Sequence, residues 1–189
     1  MRLSKLGYYA DLVVYPIIVV ALTAAGCRGP HSRFFVVFSL CCLMGFAGWT
    51  LVEYAVHRFV LHRVSSAARL HDVHHANPVA LVGTPSWLSL AAFALVAFVP
   101  LWASGGLEIA TGVVAGLMLG YMWYMVVHHA VHRWPLDRGS LLYRAKLRHA
   151  VHHHHRERDG NFGVTTGFWD RLFGTAIERA PGRSANRLA

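Results

Sequence analysis

Charge is what this chain has least of. Acidic and basic side chains make up 14% of its 189 residues and only nine residues are acidic, while 55% are apolar. A soluble domain carries about a quarter charged residues, so an ordinary water-solvated fold is excluded. Cysteine is scarcer still. Cys27, Cys41 and Cys42 form no CxxC pair, which excludes a thiolate zinc framework or a disulfide scaffold and leaves them as small apolar side chains. Lysine is nearly absent, two residues against 16 arginines, a bias that points to a GC-rich bacterial genome.

Long apolar runs fill the space that charge leaves. A bilayer-spanning helix needs about 20 mostly apolar residues, and residues 8–25, 34–56, 86–103 and 107–127 qualify. The expected fold is all-α and integral to the membrane, with four transmembrane helices. Asp11 and Pro16 interrupt the first run and no small-residue cleavage site stands out, which fits a signal anchor better than a removed signal peptide. Pro16 and Pro100 are expected to kink or end their helices. Gly112, Gly116 and Gly120 recur every four residues, a flat strip suited to close helix contact.

Basic residues set the orientation, because Lys and Arg gather on the cytoplasmic side. Two precede the first span, three follow the second and 11 follow the fourth, so 16 of 18 lie on one face; only Arg28 and Arg33 lie on the other. Both termini are therefore expected in the cytoplasm, in a bacterial inner membrane. The net charge of +9 marks that face and suits anionic headgroups, without nucleic acid as a partner. The long segments, 58–85 and everything after Val127, share this face with 13 of the 14 histidines, His31 being the exception. A histidine-rich helical cap is expected there, including an interfacial helix over 140–155 and a turn-rich, aromatic stretch over 161–175. Residues 1–180 read as one domain, and 181–189 as a disordered tail.

Ten of those histidines form four clusters: His57 and His62; His71, His74 and His75; His128 and His132; His149, His152 and His153. On a helix, residues three and four apart share a face, so each HxxHH run presents three imidazoles to one side. His57 and His62 differ, since five residues at about 100° each leave them about 140° apart. They call for two metals or for a helix break near Arg63. Ten donors exceed what one ion can take, whereas two ions would use them. Imidazole alone does not name the metal; a catalytic role at a membrane favours iron. His129 points away from His128 and is assigned a structural role, and His154 and His155 are assigned to solvent, with a shifted register in which they replace His152 and His153 as the alternative.

Glu53 lies one turn before His57 near the inner end of a span, where an unpaired charge is costly. A hydrogen bond to a ligand histidine or to Arg58 would satisfy it. Asp170 is a further candidate for supporting a ligand. Asp11 is expected to snorkel or to pair with Lys5. A substrate pocket between the spans is expected to involve Trp49, Tyr121 and Trp123.

These motifs resemble the fatty acid hydroxylase superfamily, the integral-membrane group that includes sterol desaturases and carotenoid hydroxylases. The resemblance rests on Glu53 to Phe59 followed by His62, both HxxHH runs, the HxxxH pair, and the closing run from Asn161-Phe162-Gly163 to Trp169-Asp170-Arg171-Leu172-Phe173-Gly174-Thr175. It implies a non-haem dinuclear iron centre on the ten clustered histidines, with zinc able to take the place of iron in a purified form. It also implies use of O2 and two electrons to hydroxylate or desaturate a lipid: a fatty acyl chain, sterol or carotenoid. The chain is expected to lack the cytochrome b5 domain fused in some relatives of this group, so the resemblance implies a separate electron donor, a ferredoxin or cytochrome b5 type with its reductase.

The rival reading is a membrane protein that handles zinc, copper or nickel without oxygenase activity. Transport calls for ionisable residues along the spans, and these have almost none beyond Asp11 and Glu53. A bis-histidine haem would need paired ligands on facing spans, and the clusters lie beyond them.

Overall fold

The computed structural model describes residues 2–28, 32–154 and 160–177. His31, His155 and the expected disordered tail at 181–189 lie outside the described residues. Helix α1 (Lys5–Tyr9) leads into α2 (Asp11–Gly26), and α3 (Ser32–Ala55) passes into a π turn (Val56–Leu61). Then come α4 (Ser65–Ala76), α5 (Ser86–Ala92), a second π turn (Phe93–Phe98), α6 (Val99–Arg133), α7 (Leu141–His154) and α8 (Phe168–Leu172). Among the described residues there is no strand, only an isolated antiparallel bridge between Arg2 and Val82.

Among the described residues, three helical runs are long and apolar enough to cross a membrane: Lys5–Gly26, Phe34–Leu61 and Ser86–Arg133. The sequence pattern divides the last of these into two spans. Helix covers these 48 residues almost without a gap, but it is two helices that meet at Gly106, whose φ of 82° and ψ of 173° leave the helical region. Glycine reaches that backbone without a Cβ clash. The run folds back there: the Phe93 and Tyr121 rings are 5.9 Å apart, whereas a straight helix would separate them by about 40 Å.

Apolar side chains cover the outside of these runs. Val13, Ile17, Val20, Phe35, Leu43, Met44, Leu95 and Val96 are all more than half exposed, a surface that lipid satisfies and water does not. Inside, α3 and α6 meet backbone to backbone along the glycine strip. A methyl at Gly112 would strike Phe38 and Cys41, one at Gly116 the Cys42 carbonyl, and one at Gly120 Trp49. Gly45 supplies the same clearance from α3, opposite the Val113 carbonyl.

Asp11 does not pair with the exposed Lys5. It is buried and accepts hydrogen bonds from Ser86 Oγ and, at 3.0 Å, from Tyr121 OH. Two hydroxyl donors meet the cost of burying it more locally than a solvent-facing ammonium could. This bond ties α2 to the starts of α5 and the second half of α6. The core beside it joins Tyr15, Phe93, Val114 and Met118, with Trp49 and Tyr121 packed against them. Of the expected pocket residues, Trp49 and Tyr121 stack edge-on at 5.2 Å, but Trp123 is 47% exposed on the outer surface.

Candidate metal centre

The four histidine clusters come from four helical segments whose ends converge. His57 lies in the π turn and His62 follows it, His71, His74 and His75 are on α4, His128 and His132 end α6, and His149, His152 and His153 end α7. The expected helix over 140–155 is α7. All ten side chains meet in two adjoining groups. One gathers His57, His62, His71, His75 and His152, and the other His74, His132, His149 and His153. His128 joins the second, its Nε2 3.1 Å from that of His74 and 3.2 Å from that of His132.

The partition differs from the one-sided HxxHH picture. Within each run the pair four residues apart serves one group and the residue between crosses to the other: His71 and His75 against His74, His149 and His153 against His152. The border between groups is tight, with His75 and His153 stacked at 4.3 Å. His57 and His62 also depart from expectation. In a π turn hydrogen bonds run from i to i+5, so the five-residue spacing closes one turn and both imidazoles reach the same group, rings 5.2 Å apart.

Hydrogen-bond partners fix which nitrogen faces inward. His57 Nδ1 lies 2.6 Å from the Phe162 carbonyl and His152 Nδ1 lies 2.8 Å from the Gly160 carbonyl. A carbonyl only accepts, so both Nδ1 atoms donate and both Nε2 atoms carry lone pairs. Yet His57 Nε2 is 3.0 Å from His71 Nε2, and His152 Nε2 is 3.3 Å from His62 Nε2. Imidazole nitrogens converging in this number and at these distances suit a cation among them. Neighbouring donors at right angles on metal–nitrogen bonds of about 2.1 Å would be about 3.0 Å apart. The Nε2 separations of 3.0 Å for His71 and His75, 2.8 Å for His132 and His149 and 3.1 Å for His149 and His153 fit that chord. The donor set therefore fits two metal ions.

Electrostatics keep the imidazoles in their metal-binding form. Burial, with the neighbouring imidazoles, pushes His74 down to about 3, His153 down to about 2, and His71 and His149 well below the ordinary histidine value. His152 is also pushed down by burial to about 3, against the pull of the Gly160 carbonyl. Neutral imidazole is the form that binds a metal. His129 stands apart, with Nδ1 3.4 Å from Tyr8 OH and its ring near Trp134, and His154 is exposed.

Glu53 and Asp170 touch no histidine in the described contacts. Both hold the strap formed by residues 160–165. Glu53 Oε1 accepts from the Val164 and Thr165 amides at 2.6 and 2.9 Å, and Oε2 from Thr165 Oγ1 at 2.6 Å. Asp170 accepts from the Phe162 and Gly163 amides and from Thr175 Oγ1, each at 2.8 Å. Arg58 bonds not to Glu53 but to Tyr54 OH at 2.7 Å. Sequence reasoning missed the strap carbonyls, which leave no side-chain signature. It also missed Tyr124, stacked on His128 at 5.4 Å and 16°. The π turn did leave a signal, the five-residue spacing itself.

Comparisons with known proteins agree with this geometry. The fatty acid hydroxylase family model matches residues 42–175. The chain is 32% identical over 161 residues to the fatty acid 2-hydroxylase of Rattus norvegicus, covering 78% of this chain and 41% of that one. It is 27% identical over 177 residues to a dihydroceramide fatty acyl 2-hydroxylase of Arabidopsis thaliana, covering 85% and 69%. The solved hydroxylase domain of full-length scs7p superposes with a TM-score of 0.78 at 26% identity, covering 91% of this chain and 67% of that one. The chain thus spans about two fifths of the length of its mammalian relatives.

Proposed function

The chain belongs to the fatty acid hydroxylase family, and we propose on that footing that it is a membrane-bound, non-haem dinuclear iron oxygenase that hydroxylates the acyl chain of a membrane lipid. The observation that carries this reading is the partition of ten imidazoles into two adjoining five-nitrogen groups. His57, His62, His71, His75 and His152 would hold one ion, and His74, His128, His132, His149 and His153 the other. Iron bound there would supply redox chemistry with O2; in the overall reaction one oxygen atom would enter a C–H bond and the other leave as water with two electrons and two protons. Zinc binds the same donors without redox chemistry.

The chain's own residues bind and orient. Neutral imidazoles, buried or partly buried, converge, and strap carbonyls fix two of the rings. Among the lipid classes expected from the resemblance, the relatives' names favour an acyl chain attacked at carbon 2. The substrate would enter sideways from the bilayer, and the two electrons would come from a separate ferredoxin or cytochrome b5 type donor with its reductase. Residues 1–180 act as one domain. The fold-back at Gly106 supports four spans, and the placement of basic residues supports an inner-membrane protein with both termini and the metals on the cytoplasmic side.

The test is lipid profiling in a bacterial host that lacks 2-hydroxy fatty acids, expressing wild type or His74→Ala beside a competent donor. Hydrolysed lipids should contain 2-hydroxy acids with wild type and none with His74→Ala. Wild type that carries no stoichiometric metal and leaves every lipid unoxidised would overturn the oxygenase reading.

A further inference from the structure

We propose that Asp170 is a positioning residue for His57, acting through the single peptide group between Phe162 and Gly163, and that it makes the two metal positions unequal in how firmly they hold their ions. The inference rests on the reading that the ten imidazoles hold two metals. His57 Nδ1 donates to the Phe162 carbonyl at 2.6 Å, and the amide of the same peptide unit, Gly163 N–H, donates to Asp170 Oδ2 at 2.8 Å. The sequence is therefore imidazole N–H to carbonyl, then amide N–H to carboxylate. A negative acceptor on the amide polarises the peptide and makes its carbonyl a stronger acceptor. The effect reaches the imidazole as a carboxylate beside a ligand histidine would, fixing its ring and raising its basicity.

Asp170 is itself held for this task. It is fully buried. Arg58 donates to Tyr54 OH at 2.7 Å, Tyr54 OH lies 3.1 Å from Thr175 Oγ1, and Thr175 Oγ1 donates to Asp170 Oδ1 at 2.8 Å. With Arg58 only donating and Asp170 accepting, the Tyr54 hydroxyl donates its hydrogen bond to Thr175 Oγ1 and every bond in the chain runs one way. The Phe162 amide, at 2.8 Å, gives Oδ1 a second donor.

Three of the other histidines, His152, His149 and His153, lack this support. His152, in the same group, donates to the Gly160 carbonyl, but the amide of that peptide, Asn161 N–H, meets only the neutral Thr175 carbonyl at 3.0 Å. In the second group, the buried Nδ1 atoms of His149 and His153 have no hydrogen-bond partner among the described residues. Anchored rings thus gather in the group of His57, and the charged anchor is on His57 alone among these four.

The test is the release of metal to a chelator from detergent-purified protein loaded anaerobically with iron. Variants are Asp170→Asn, which puts an NH2 group against an amide donor, and the milder Thr175→Val, which removes the hydroxyl on Oδ1 and keeps the side-chain shape. Thr175→Ser restores the hydroxyl. Expected is that one of the two equivalents leaves about 10- to 100-fold faster in Asp170→Asn, as for lost support of a ligand histidine. Thr175→Val should show the same split to a smaller extent, the second equivalent should keep the wild-type rate, and Thr175→Ser should match wild type. If Asp170→Asn does not fold, Thr175→Val decides. Equal acceleration of both equivalents, or none, overturns the positioning role. Wild type that binds fewer than two ions overturns instead the dinuclear reading, and this inference with it.

Discussion

His57 and His62 stand one π turn apart, their ring centroids 5.2 Å from each other, and both belong to the group that also contains His71, His75 and His152. A regular α-helix would aim them about 140° apart. The widened turn therefore decides that five imidazoles, and not four, can meet at one point.

The split of each HxxHH run makes a prediction about pairs of variants. His71→Ala with His75→Ala should cost one metal equivalent, because both residues serve the same group. His71→Ala with His74→Ala should cost both, although these residues are closer in sequence. Metal analysis of the purified variants distinguishes the two patterns, and equal losses would contradict the partition.

The Glu53 clamp should tolerate loss of charge better than loss of acceptors. Glu53→Gln keeps an oxygen for the Val164 and Thr165 amides and offers an NH2 to Thr165 Oγ1. Glu53→Ala strands two amides, at a cost of about 1–3 kcal/mol each. Thermal unfolding in detergent should place Glu53→Gln near wild type and Glu53→Ala well below it. The reverse order would sink the clamp.

Close packing of α3 on α6 predicts opposite effects at two glycines. Gly116→Ala drives a methyl into the Cys42 carbonyl, whereas a methyl at Gly48 meets nothing within 4 Å. The first should destabilise by about 1–3 kcal/mol, and Gly48→Ala should be neutral or stabilising by up to about 1 kcal/mol. Comparable losses at both positions would contradict the packing.

Acid should weaken the metal-free protein before it protonates the folded site. Burial holds His74 and His152 down to about 3, while in the unfolded chain histidine takes up its proton near 6.5. Between these values the unfolded state binds more protons, so stability from these groups is complete above about 6.5 and falls as pH drops toward about 3. The melting temperature of apo-protein should decline through that window, and less steeply in the double variant His74→Phe, His152→Phe. Parallel slopes would contradict the assignment.

The legible parts of this molecule were those written in spacing and composition. Apolar runs gave the membrane helices, the glycines at 112, 116 and 120 gave a packing seam, and the four clusters gave the ten histidines that meet. Less legible was anything carried by backbone. The break at Gly106 falls between the runs expected at 86–103 and 107–127, but its form, a single glycine with helix on both sides, has no composition signature. The strap acts through the carbonyls of Gly160 and Phe162, and any residue type supplies a carbonyl. Asp11 was misjudged because its donors, Ser86 and Tyr121, are 75 and 110 residues away. Glu53 was recognised as needing a partner, but that partner is the backbone of residues 164 and 165, more than 110 positions later.

The most direct test of the central claim is the iron content of wild-type protein purified without oxygen and without chelator. The two five-histidine groups predict two irons per chain. One iron per chain, or none after loading with excess ferrous ion, would contradict a dinuclear centre.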